Sequence, residues 1–257
     1  MSGQRLFYNS APWLATIFLF LLWEIICREF SIPDFILPKP SSILETALRF
    51  KQPLLQHSLH TLMTTLIGFA LAIVGGLLLG LMIGASPLVY RALYPLLIGF
   101  NTVPKVAVVP ILVIWFGIGT IPAIITAFAI SFFPIVVNVA TGLATIEPEL
   151  RDVLRSVGAS KTQILTKIGI PRSLPYLFAS FKIAITLAFI GSIVSETVAS
   201  NEGIGYLMLA ASSRFDVPLA FAGLLAVAAM GIVLYAISSA FERRMTRWAF
   251  RGSDLVA

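Results

Sequence analysis

From Val106 to Ile146 the chain carries no charged residue. As one helix, such a run would be about 60 Å long, twice the hydrocarbon core of a bilayer. It therefore has to turn back on itself. "GIGTIP", Gly117 to Pro122, supplies the turn: two glycines and a proline close together punctuate an otherwise unbroken apolar pattern. The run divides into a third and a fourth membrane span, over residues 95–116 and 121–143. The third is interrupted by Pro104 and Pro110. A broken helix facing a cavity is expected there, because freed backbone groups need partners or water.

The rest of the chain repeats the pattern. The 257 residues are 58% hydrophobic and 12% charged, whereas soluble domains carry about 25% charged residues. Apolar stretches of roughly bilayer length fall at 12–27, 61–85, 174–195 and 217–241. The first lacks a basic start and a small-residue cleavage site, so it reads as a retained helix and not as a signal peptide. The expected fold is all-α: a polytopic membrane protein with six transmembrane helices in one domain spanning residues 1–257.

Orientation follows from Lys and Arg, which favour the cytoplasmic side. With six spans, both termini lie on one side. That side holds Arg5, Arg91, Lys105, Arg151, Arg155, Lys161, Lys167, Arg172, Lys182, Arg243, Arg244, Arg247 and Arg251, thirteen in all. The other side holds Arg28, Lys39, Arg49, Lys51 and Arg214, which is five. Both termini are expected in the cytoplasm of a bacterial cell, with the chain in the inner membrane. The first outer loop, "IPDFILPKPSS", reads as extended. The formal charge of +6 does not indicate nucleic acid, because the basic residues are spread through loops between apolar spans.

One loop is too polar and too structured to be a mere connection. It covers residues 147–171 and includes "ELRDVLRSVGASKTQILTKIGIP". Leu150, Val153, Leu154 and Val157 follow the i, i+3, i+4, i+7 spacing of one helix face. Gly158 ends that helix. Ser160 with Gln163 reads as a capping box that starts a second short helix, with Ile164, Leu165 and Ile168 on its apolar face. Gly169 and Pro171 are expected to stop that helix before the fifth span. Pattern alone leaves two readings open: a loop lying on lipid headgroups, or a docking element for a soluble partner. "GASKT" within it is not a phosphate-binding loop, since Ser160 stands where that loop's second glycine belongs and no strand precedes it.

The remaining chemistry is sparse. No nucleophile with a base, no carboxylate–histidine cluster and no metal spacing appears, so neither a catalytic site nor a metal site is expected. Cys27, the single cysteine, is a packed thiol. His57 and His60 read as polar residues at the membrane interface. Trp115 and Phe116 would anchor the third span at the interface or gate a pathway. Asn138, Ser192, Ser195 and Thr197 could hydrogen-bond a solute, or bond between helices. Glu196 and Glu202 would flank the outer side, solvated or meeting a partner. The second, fourth and sixth spans hold no charged residue, and Glu24, Lys182 and Glu196 read as near span ends. A carrier driven by protons or sodium normally keeps such groups inside its spans, so energy is expected from elsewhere.

Asp152-Val153-Leu154, Gly158 and Ile170-Pro171 resemble the "EAA" loop of binding-protein-dependent ABC importer permeases, with Val153 and Leu154 in place of its two alanines. "LPKPSSIL", "VPKVAVVPILVIWFGIG" and "SETVASNEGIGYLM" with "SRFDVPLAFAGLL" resemble the nitrate, sulfonate and taurine branch. The resemblance runs from about Trp13 to Arg251. It implies a type I importer permease, not itself an enzyme. Two copies would form the pathway, in contact with membrane lipid. Two copies of a cytoplasmic ATPase would carry ATP and Mg, with no cofactor bound by this chain. A periplasmic binding protein would deliver the substrate. Coupling to the ATPase would fall on Asp152, Arg155, Ser156, Gly158, Ala159, Ser160, Lys161, Gln163 and Pro171. Trp115, Phe116, Asn138, Ser192, Ser195 and Glu196 are the pathway or gate candidates. A small organic anion (a sulfonate, taurine, a nitrate-like ion or an aromatic carboxylate) is the expected substrate, with a pyrimidine-type vitamin precursor as the alternative. A channel or an ion-coupled secondary carrier is the competing class.

Overall fold

An apolar segment without water must satisfy its backbone internally, and a helix does so within one segment. The computed structural model describes residues 2–144 and 148–246, and its regular elements there are all helical. In chain order they are α1 (Ser2–Glu29), α2 (Pro40–Arg49), α3 (Lys51–Ala85), α4 (Pro87–Thr102), α5 (Val109–Phe116), α6 (Thr120–Ala144), α7 (Pro148–Ser156), α8 (Lys161–Ile164), α9 (Ile170–Ala199), α10 (Ile204–Ser213) and α11 (Val217–Thr246). Among the described residues, α3, α6, α9 and α11 are each long and apolar enough to cross a bilayer. The pair Leu88–Thr102 and Lys105–Phe116 is apolar enough when taken together but is bent by 75°, as a broken span or a re-entrant loop would be. Helix α1 encloses residues 12–27 and exposes Leu14, Ile17, Phe18, Leu19 and Leu21, the side chains lipid would cover.

The core is the packing of α3, α6 and α9. On α3, Gly68, Ala72, Gly76, Gly80 and Gly84 recur every four residues and so share one face. A Cβ on Gly76 would lie 2.7 Å from Ile135 Cγ2, and one on Gly80 2.7 Å from Val139 Cβ. The missing side chains let two backbones approach closely, as van der Waals packing in lipid requires. Ala72, Ile135, Val139, Leu143, Leu177 and Ala184 are buried together there. Cys27 is fully buried, with its Sγ 3.7 Å from the Leu37 carbonyl.

Several expectations are corrected. The helix that holds the first part of the third span, α4, starts at Pro87, and the break after it is at Val103–Pro104. Pro110 does not interrupt it. That residue sits in the first turn of α5, where a missing N–H costs nothing. Gly169 and Pro171 do not stop the helix after α8. A π-helical turn, Leu165–Gly169, leads straight into α9, and Pro171 lies in that helix's first turn. "IPDFILPKPSS" is not extended throughout, because α2 begins at Pro40. Glu24 accepts hydrogen bonds from Ser41 N–H (3.0 Å) and Ser41 Oγ (2.8 Å) at the start of α2.

Lys182 is not near a span end. It stands near the middle of α9, and its Nζ donates to Glu242 on α11 at 2.7 Å. Lys105 sits at the bend between α4 and α5 and donates to Asn101. Residues 145–147 of the 147–171 loop and its flank, and Arg247 and Arg251 of the charge pattern, lie outside the described residues.

Candidate functional site

Two constellations stand at opposite ends of the bundle, joined by α9. Its rise from Ile170 to Glu196 is about 40 Å.

The first is a knob formed by α7, Gly158 and α8. At the C-terminus of α7, Gly158 has φ +82. Its N–H donates to Arg155 O at 3.0 Å, and Ala159 N–H donates to Leu154 O at 2.9 Å. This pair of bonds is a Schellman closure, which requires the left-handed conformation that glycine adopts without strain. Helix α8 opens with the reciprocal box. Ser160 N–H donates to Gln163 Oε1 at 2.8 Å, and Gln163 N–H donates to Ser160 Oγ at 3.2 Å. Ser156 Oγ turns back to Val153 O at 2.7 Å. Asp152 lies 3.7 Å from Arg155, both well exposed. Lys161 begins α8, and Pro171 is half-buried at the start of α9.

The apolar stripe of the knob is only partly covered. Leu150 and Leu154 are half-buried, but Val153 is 61% and Val157 75% exposed. A polar loop with two ordered caps thus fixes two valines outward, uncovered by the described residues.

The second constellation is a buried polar cap. Most hydroxyl and amide side chains in the spans satisfy themselves on their own helix: Thr126 on Pro122 O, Ser131 on Ala127 O, Ser180 on Leu177 O, and Thr197 on Val194 O. Asn138 likewise donates to Pro134 O at 2.8 Å. Glu196, Thr61, Thr64 and Ser192 also bond between helices. All four are fully buried and meet across α3 and α9. Thr61 Oγ1 donates to Glu196 Oε2 at 2.7 Å, and Thr64 and Ser192 hydroxyls share a short hydrogen bond. His60 Nδ1 lies 3.7 Å from Glu196 Oε1. On its other side, His60 Nε2 lies 3.1 Å from Glu202 and 3.2 Å from Thr120 Oγ1.

These groups serve the start of α10. The first amides of a helix have no partner inside it. Here Gly203 N–H donates to His57 Nδ1 (3.1 Å), Ile204 N–H to Thr61 Oγ1 (2.8 Å) and Gly205 N–H to Glu196 Oε2 (3.2 Å). Side chains from α3 and α9 thereby cap a third helix, with a carboxylate at its positive end. Gly203, with φ +96, has no space for a Cβ, which would overlap the Glu196 carboxyl.

Glu196 is therefore not a solvated flank residue, since a buried carboxylate needs the donors it has here. The histidines are not plain interfacial residues either. Reading the sequence in isolation missed the roles of His57, His60, Thr61, Thr64, Gly203 and Gly205. The available signal was the polar stripe His57, His60, Thr61, Thr64 on the face of an apolar helix, which demands a partner.

Beside the cap, Gly119 N–H donates to Ala199 O at 2.9 Å. The loops it joins, 116–122 and 200–202, enclose an open cavity of about 440 Å³. Phe116, Ile118, Thr120, Asn201 and Glu202 line it. Of the pathway candidates, Phe116 reaches this cavity, and Trp115 beside it is 70% exposed. Ser192 and Glu196 belong to the cap. Ser195 is buried, with its Oγ unpartnered among the described residues, and Asn138 lies far along α6. No group of His, Cys, Asp or Glu among the described residues could hold a metal ion.

Comparison with known proteins agrees with this architecture. Residues 72–247 match the family described as binding-protein-dependent transport system inner membrane component. The chain is 33% identical over 246 residues to the formylaminopyrimidine transport permease protein ThiX of Halalkalibacterium halodurans, covering 95% of this chain and 98% of that one. It is 34% identical to the riboflavin transport system permease protein RibX of Chloroflexus aurantiacus (96% and 93% covered). It is 26% identical to the taurine transport system permease protein TauC of Escherichia coli (90% and 86% covered). A chain of the MetNI methionine ABC transporter, in an inward-facing conformation, superposes with a TM-score of 0.64 at 19% identity, covering 73% of this chain and 93% of that one. The all-α multi-pass architecture, the matched family and the full-length relatives give one conclusion: this chain belongs to the family of inner-membrane permease subunits of binding-protein-dependent ABC importers, and is itself a non-catalytic membrane component.

Proposed function

We propose that two copies of this chain form the pathway of an importer driven by two cytoplasmic ATPase subunits, which bind ATP and Mg, and fed by a periplasmic binding protein. The knob is the coupling element. The observation that carries this reading is the exposure of Val153 and Val157 on a helix held by a Schellman turn and a capping box. An apolar face that is both exposed and rigidly presented fits a groove in a partner better than a fluid headgroup layer. Asp152, Arg155, Ser156, Ala159, Ser160, Lys161 and Gln163 belong to the same short segment and would form the rim. The basic majority favours a cytoplasmic knob and cytoplasmic termini, which would put the Glu196 end at the periplasmic mouth.

The substrate reading rests on that mouth. No Lys or Arg is among the residues lining the cavity, while Glu202, with its side chain 67% exposed, is. A carboxylate at the entrance disfavours an anion by like-charge repulsion. The two relatives above 30% identity cited here are named for a formylaminopyrimidine and for riboflavin. An uncharged heteroaromatic vitamin precursor is therefore favoured over a sulfonate, taurine or another small anion, the class suggested by relatives of lower identity. In proteoliposomes holding the permease, its ATPase and its binding protein, unlabelled formylaminopyrimidine is expected to inhibit uptake of the labelled compound at least tenfold more strongly than taurine. Taurine uptake insensitive to the pyrimidine would restore the anion reading.

A further inference from the structure

We infer that Thr61 and Glu196 are positioning residues of transport, holding the start of α10 so that motion of α9 reaches the outer mouth. The inference rests on the coupling reading of the knob, and extends it to the other end of the molecule. The knob leads without a break, through the π-helical turn, into α9. Twenty-six residues beyond Ile170 that same helix presents Glu196, whose carboxylate receives the Gly205 amide. Thr61 is the hinge of the arrangement. Its hydroxyl donates to Glu196 at 2.7 Å, with the His57 carbonyl of its own helix 3.1 Å away, and accepts from Ile204, so α3, α9 and α10 meet at one oxygen atom. His57, on α3, takes the preceding amide at Gly203.

Few other polar contacts tie the outer loop to α9. Ser200 Oγ bonds only within the loop, receiving Glu202 N–H and donating to Glu202 O. The loop 200–202 is also one wall of the cavity. A tilt of α9, driven from the knob, reaches the 200–202 wall directly through the chain, which runs on from Ala199, and is passed to α10 at a fixed angle through the cap. Without the cap, the wall would follow α9 while α10 changed its angle to it. Gly203 and Gly205 reinforce the point. A Cβ on either would collide with Glu196 or with the Ile193 carbonyl, so α10 begins as close to α9 as backbones allow.

The test uses the complete complex with ATPase and binding protein in proteoliposomes. Thr61→Val keeps the shape of the side chain and removes its hydroxyl, whereas Thr61→Ser restores it. Thr61→Val is expected to retain the ATPase subunit and its basal hydrolysis. It is expected to lose at least tenfold of both uptake and stimulation by loaded binding protein. Hydrogen exchange at Gly203, Ile204 and Gly205 should accelerate at least tenfold, with α6 amides unchanged. Thr61→Ser should return all three readouts to near wild type. Gly203→Ala, which drives a methyl group into the Glu196 carboxyl, is the second arm and should give the same uncoupled behaviour. Full uptake in either Thr61→Val or Gly203→Ala overturns the inference, and so does failure of both variants to retain the ATPase, since the cap would then serve folding alone. A wild-type chain that binds no ATPase would instead overturn the coupling reading beneath it.

Discussion

Gly158→Val is expected to insert in the membrane and to lose its ATPase partner. The position has φ +82, and nothing lies within 4 Å of a Cβ built there. The effect is therefore conformational and not a clash. A β-branched residue in this region is strained by about 1–2 kcal/mol. The chain relieves that strain by leaving the left-handed conformation, which breaks the bonds from Gly158 to Arg155 and from Ala159 to Leu154. Helix α7 then no longer meets α8 at a fixed angle, and Val153 and Val157 face a changed direction. A loss of about 1.4 kcal/mol at a docking surface is tenfold in affinity, so ATPase retention on purification and ATP-dependent uptake should both fall by about that factor or more. Asp152→Ala should do far less, because its ion pair with Arg155 is long and exposed. Ser160→Ala is intermediate, at about 1 kcal/mol for a lost cap. Full ATPase binding and full uptake in Gly158→Val would mean that the loop only covers lipid headgroups.

At the other end, Glu196→Ala is expected to lower stability by about 2–4 kcal/mol, combining an orphaned donor with the space left behind. The donor is the Gly205 amide; the Thr61 hydroxyl keeps a second acceptor, the His57 carbonyl at 3.1 Å. Glu196→Gln should cost under about 1 kcal/mol. Its amide oxygen can accept both bonds, and its NH₂ would face His60 Nδ1, a buried nitrogen with no hydrogen-bond partner among the described residues. Thermal unfolding of the two variants in detergent measures the difference. Equal losses would show that the charge and not the hydrogen bonding holds the cap. The same pair separates two classes of transporter. Glu196 is the kind of buried carboxyl a proton-coupled carrier would use. If the cap reading is right, Glu196→Gln keeps ATP-driven uptake, and a carrier would lose it.

What the sequence shows in advance depends on the range of the interaction. The knob was legible because its determinants are local. A four-residue apolar stripe, a helix-ending glycine and a Ser–Gln box each act within one or two turns. The broken third span was legible because Pro104 forbids a continuous helix after α4. The start of the fifth span was misread for a related reason: a proline in the first turn of a helix looks, in sequence, like one that stops the helix before it. The cap was not legible because Thr61 and Glu196 are 135 residues apart: the polar stripe on α3 calls for a partner, but nothing local in either helix says which. Lys182 failed in the same way, since its partner Glu242 lies 60 residues on. Spans bounded by apolar runs alone placed both acidic partners at the edges. Only the packing of α9 against α3 and α11 shows that ionisable groups lie within the bundle and are paired across it.

The central claim is that this chain moves its substrate by coupling to ATP hydrolysis in another subunit, and not by an ion gradient of its own. Uptake into proteoliposomes tests it most directly. The purified chain alone, under an imposed proton or sodium gradient, is compared with the chain plus ATPase and loaded binding protein, with and without ATP. The account predicts uptake only in the complete system with ATP, on the side carrying the knob, and none from either gradient. Gradient-driven uptake by the chain alone would contradict it, and would make Glu196 and His60 a route for the coupling ion.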